Sequence, residues 1–141
     1  MPFQPRHFRF FTVLAICGFF LAWFAWAIFP ISRYGHSSER IRKKIRSLSD
    51  CKPANINAEH WDECVTWAVT AHSNICFSEG HTSYKEMRRF ETELDEKVKG
   101  GVGPDTMRWI FDRLAATGPT GERYINNYRT ELTGALRAIS E

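Results

Sequence analysis

Residues 10–32 read FFTVLAICGFFLAWFAWAIFPIS, a run of 23 residues without a charge, closed by Arg9 before it and Arg33 after it. As a helix the run would be about 35 Å long, against a bilayer hydrocarbon core of roughly 30 Å. A cleaved signal peptide is the competing reading. Arg6 and Arg9 would be its charged start, and Ala25-Trp26-Ala27 its small-x-small cut site. The apolar run, however, continues past Ala27 through Ile28, Phe29 and Ile31, and it is bulky where a cut site should be small. Trp23, Trp26 and Tyr34 suit the aromatic belt at the far end of a span. Leu14-Ala15-Ile16-Cys17 is a poor lipoprotein box, because Ile before the Cys is too large. The stretch reads as a retained transmembrane helix.

Charge is divided along the chain. The overall net charge of +3 conceals eight Lys/Arg against two acids in residues 1–50, and eleven against fourteen in residues 51–141. A nucleic-acid binder would carry its basic residues on the folded module, so the acidic C-terminal part argues against nucleic acid as a partner. Six basic residues (Arg33, Arg40, Arg42, Lys43, Lys44, Arg46) follow the apolar run closely and two precede it. That asymmetry predicts a cytoplasmic C-terminal side.

The sequence thus divides into an N-terminal tail (1–9), a transmembrane helix (10–32), a basic juxtamembrane segment (33–50) and a helical domain (51–141). In the juxtamembrane segment Ile41, Ile45 and Leu48 make one apolar stripe on a short helix, with Ser37 or Ser38 as its cap. Arg40, Arg42, Lys43, Lys44 and Arg46 cover its other faces. They fit an anionic lipid surface, while the stripe alone equally fits docking on the domain behind it.

Within the domain the spacing predicts a helix capped by Asn57, with Trp61, Cys64, Val65, Ala68 and Ala71 inward. SNICFSEGHT (73–82) reads as a loop. Ser83 and Glu86 make a capping box for a helix with Met87, Phe90, Leu94 and Val98 inward, ended by Gly100-Gly101. Pro104 opens a helix with Met107, Ile110, Phe111 and Leu114 inward, stopped at Gly118-Pro119. A last helix from about Gly121 carries Ile125, Tyr128, Leu132, Ala135 and Ile139, a seam suited to packing or to a protein partner. No segment alternates with a period of two, so the fold class is all-α, a bundle of about four helices behind the span.

One set of residues could carry chemistry. His60 and Cys64, then His72 and Cys76, are two His-x3-Cys pairs, and each pair shares a helix face. On one continuous helix Cys64 and His72 would be about 12 Å apart along the axis, so a single ion needs a chain reversal near Ser73-Asn74. The tight Cys-x2-Cys knuckle of common zinc modules is missing. Gly100 to Gly103 follow a helix and lack the Lys-Ser/Thr of a P-loop, so they read as a helix stop. These readings favour a non-enzymatic, membrane-anchored interaction domain with no cofactor, whose partners are the bilayer and a protein. A metal- or thiol-dependent site on His60, Cys64, His72 and Cys76 is the alternative.

Overall fold

A 43-residue helix, α1 (Pro5–Ser47), runs through the expected span and straight on through the basic segment. The computed structural model describes the backbone of residues 5–77 and 83–141, and the side chains of these except residues 5–11 and 29–34. A 3-10 turn (Leu48–Cys51) closes α1. Five further helices follow: α2 (Ala58–Phe77), α3 (Tyr84–Lys99), α4 (Pro104–Ala115), α5 (Gly118–Asn127) and α6 (Arg129–Ala138). The protein is all-helical, and no strand occurs among the described residues. No helix among them is long and apolar enough to cross a membrane. Residues 10, 11 and 29–32 of the expected span lie outside the described side chains.

The expected break between span and basic helix is absent. Pro30 falls inside α1, where its missing N–H removes one rung of the helix without ending it. Ser37 and Ser38 therefore cap nothing. Both sit mid-helix and fully buried, because from this point α1 is packed into the domain. Ile41, Ile45 and Leu48 are buried in the core, so the stripe docks on the domain rather than on lipid.

α2 is the centre of the bundle and runs antiparallel to α1. Trp61, near its start, donates its indole N–H to the Leu48 carbonyl at 2.7 Å, while His72, near its end, senses the charges of Glu39 and Arg42. Asn57 caps it as expected, its Oδ1 accepting from the Glu59 N–H at 2.8 Å. The helix continues through Ser73–Phe77, where a loop was expected. Ile75 and Cys76 carry the inward series from Trp61 through Ala68, Ala71 and His72 one turn further.

α3 lies parallel to α1, held by ion pairs from Arg40 to Glu91 and from Lys44 to Asp95. Only half of its capping box forms. The Ser83 hydroxyl accepts from the Glu86 N–H at 3.2 Å, but the Glu86 carboxylate turns to Arg113 on α4. α4 presents Met107, Ile110, Phe111 and Leu114 to the core, as its spacing predicts. Gly118, at φ 68°, turns the chain back into α5. The expected single last helix is two, because Tyr128 (φ −112°, ψ 24°) interrupts it.

Candidate functional site

The two His-x3-Cys pairs occupy one unbroken helix, so the reversal that would fold them around a single ion does not occur. His60 is exposed in the first turn; Cys64, His72 and Cys76 are buried. Among the described residues no three His, Cys, Asp or Glu side chains gather closely enough to hold a metal ion. Burial pushes the Cys64 thiol up to about 12, reinforced by the charge of Glu63. Burial also pushes Cys76 up to about 12, with Arg113 pulling weakly the other way. Both therefore stay thiols at neutral pH, the form that neither attacks an electrophile nor binds metal.

His72 is placed differently from a ligand. It is fully buried, and neither ring nitrogen has a hydrogen-bond partner among the described residues. Burial first, and the Arg42 charge second, bring its pKa down to about 4, against a smaller upward pull from Glu39. Ser38 Oγ and Arg42 Nε are likewise buried without partners. The α1–α2 contact thus contains orphaned polar groups from both helices, where a well-packed interface would satisfy them.

The basic flank is largely engaged inside the protein. Arg40 holds Glu91 with two bonds, Nε to Oε1 at 2.6 Å and Nη2 to Oε2 at 3.1 Å, and also reaches Ser37. Lys44 pairs with Asp95, and Arg42 with Glu39 at 2.5 Å. Glu91 is pushed below the usual carboxylate range, mainly by its bond from Arg40. Of the five expected to meet lipid, Arg40, Lys43 and Arg46 are exposed, with Lys43 also 3.9 Å from Glu39.

The seam expected on the last helix is divided among environments. Leu132 is buried in the core, and Ile125 is half-buried against it. Tyr128 is exposed. The break in the helix turns it onto α2, where it meets Trp67 with ring centroids 5.7 Å apart and Tyr124 at 4.7 Å. Beside these rings is an open groove of about 360 Å³ between α2 and α5, lined by Asn74, Thr120, Arg123, Tyr124, Asn127 and Tyr128. Sequence reading misses this groove, since Asn74 is 46 or more residues from the other residues that line it. A wider cleft of about 720 Å³ lies where α3 passes to α4. Its floor is the Gly100–Gly103 stop, and Lys97, over the Trp109 ring, shares it with Glu93, Glu96 and Asp105. Three carboxylates against one lysine make the lining net acidic, and Glu93 is already held by Arg89 and Arg113.

The sequence matches no protein-family model, and neither a curated protein nor a solved structure matches it.

Proposed function

We propose that this protein is a single-pass, membrane-anchored helical domain with a non-enzymatic interaction role. One observation carries the anchor. Between Val13 and Ile28 ten large apolar side chains, including Phe19, Leu21 and Trp26, are 43–76% exposed around all sides of α1. No amphipathic stripe leaves a polar face for water, and apolar surface of this extent marks a lipid or protein contact. The stretch with described side chains, 12–28, is about 25 Å long, and the uncharged residues on either side bring the run to about 35 Å. Lipid is the fitting solvent for such a helix, since its backbone bonds are satisfied internally.

The basic excess after the run supports a cytoplasmic domain. Positive residues resist translocation while the chain is being inserted, before Arg40 and Lys44 have found Glu91 and Asp95. The interaction role is supported by the exposed aromatic groove, and by buried thiols held in the protonated state where a thiol-dependent site would need thiolates.

Alkaline carbonate extraction of membranes containing the intact chain tests the anchor. The expected result is a protein that stays with the membrane pellet. Changing both Ile16 and Phe20 to Arg, which puts two charges at mid-bilayer depth at a cost of about 2.5–3.5 kcal/mol each, should release it. An intact chain found in the carbonate supernatant would overturn the reading.

A further inference from the structure

We infer that one end of the bundle (the last turn of α2, the first turn of α3 and the junction of α4 with α5) rests in the phospholipid headgroup layer of the bilayer that holds α1. The inference rests on the anchor proposed above and concerns the domain itself. Two separate sets of contacts bring this end level with the close of the apolar run. α3 is parallel to α1, and its ion pairs, Arg40 with Glu91 and Lys44 with Asp95, keep one register. Followed back along both helices, that register sets Ser83 and Tyr84 level with residues 32 and 33. α2 is antiparallel, with Trp61 bonded to the Leu48 carbonyl and His72 within reach of the Glu39 and Arg42 charges. Each step forward on α2 is a step back on α1, so Phe77, the end of α2, comes level with residues 32–37. α4 returns to this end too, because Arg113 in its last turn bonds Glu86 in the first turn of α3.

Depth follows from the helix rise. The uncharged run closes at Ser32, and the headgroup layer beyond the hydrocarbon is about 5–8 Å thick. At 1.5 Å per residue that layer takes in about residues 33–37 of α1, the levels at which α2 ends and α3 begins. Arg40, Lys43 and Arg46 fall about 12, 17 and 21 Å past Ser32, beyond the layer. The basic flank is thus placed to bond α3, as Arg40 does, and the end of the bundle meets the lipid surface in its stead. The chemistry of that end suits headgroups. Ser83, Tyr84, Lys85, Ala116 and Pro119 are exposed there, offering a hydroxyl, an aromatic ring, a cation and small apolar groups. A tyrosine at headgroup depth and a lysine among phosphates are the usual interfacial residues. Glu86 is paired with Arg113 instead of facing the phosphates as a free anion. The net acidic cleft, with Glu96 and Asp105, lies at the opposite end of α3. The bundle therefore turns its acidic end away from a phosphate surface.

The test uses the full-length protein in phosphatidylcholine liposomes, with Cys17→Ser and Cys51→Ser so that the remaining native thiols, Cys64 and Cys76, are buried. Lys85→Cys or Ala116→Cys then carries an NBD fluorophore at the inferred membrane end, on α3 or just past α4. Lys99→Cys carries it about 21 Å further along α3. Quenching by phosphatidylcholine with a nitroxide on its headgroup is compared at the three sites. Because of that separation, NBD at residues 85 and 116 is expected to be quenched at least about twofold more than at residue 99. Circular dichroism confirms that each labelled variant is folded, and the two upper sites, on different elements, guard against a local effect of one substitution. Flotation of the same liposomes reports the anchor separately. Protein that floats but is quenched equally at all three sites, or most at residue 99, overturns the headgroup contact and leaves the anchor standing. Protein that does not float overturns both.

Discussion

His72 shows how much one side chain can decide. Its place in the series Ala68, Ala71, His72, Ile75 and Cys76 makes it a core residue, and the core offers it no hydrogen-bond partner among the described residues. A histidine buried neutral has a folded pKa below its unfolded one, so the unfolded chain binds the extra proton first as pH falls. Here the folded value is about 4, against about 6.5 in the open chain. Through protonation His72 therefore costs little stability above pH 6.5, lowers stability progressively between about 6.5 and 4, and adds no further loss below. Between pH 7 and pH 5 the expected loss is about 2 kcal/mol, read from urea unfolding at the two pH values. In His72→Leu that part of the pH dependence should vanish, while any contribution from Glu91 and Glu93, both held below the normal carboxylate range by arginines, begins only at lower pH. A pH profile unchanged by the substitution would mean that His72 is hydrated in the folded state.

At the scale of elements, the contact between α4 and α5 depends on a residue with no side chain. A Cβ on Gly121 would fall inside contact distance of the Leu114 carbonyl oxygen and 3.1 Å from that of Ala115. These are backbone atoms at the end of a helix and cannot rotate away. Gly121→Ala is expected to destabilise by about 2–3 kcal/mol as α5 is pushed off α4. Gly134→Ala, on an exposed face of α6 with nothing within 4 Å, should gain up to about 1 kcal/mol from helix propensity. Thermal unfolding of the two variants measures the contrast. Much of the element pattern was legible in the sequence: the inward faces of α2, α3 and α4 follow from the spacing of apolar residues, and the Asn57 cap from its position. Three features were not. The continuation of α2 was hidden by Ser73 and Asn74, polar residues that read locally as the start of a loop. The break at Tyr128 was hidden by a seam of the right period on both sides of it. The joining of α1's two halves was hidden by Ser37 and Ser38, which read locally as the cap of a new helix. The aromatic groove depends on the pairing of α2 with α5, and periodicity within one helix carries no information about its neighbours.

On the scale of the whole molecule, α1 has two surroundings: the side chains of residues 12–28 are uncovered, and its last third is core. In the anchored reading proposed above, the basic segment would act on topology during insertion, while in the folded protein Arg40 and Lys44 are bound to α3. Topology can be read at Cys51, which is exposed in the turn after α1, whereas Cys64 and Cys76 are buried and would resist reagents in either compartment. With Cys17 changed to Ser, a membrane-impermeant maleimide should leave Cys51 unmodified in intact cells and modify it after lysis. Modification in intact cells would reverse the assigned orientation.

The absence of a break in α1 has a rotational consequence. Each residue of an α-helix turns the next by 100° and advances it 1.5 Å, so the apolar half and the bundle share one angular phase, set by the residues between Ile28 and Ser37. A single residue inserted at Gly35 would swing the aromatic groove by 100° around the helix axis, relative to the apolar residues 12–28. Seven inserted residues would return it to within about 20° of its first bearing, about 10 Å farther out. The bearing of the groove relative to the apolar half of α1 is therefore encoded in a residue count, with no contact between the two needed to set it.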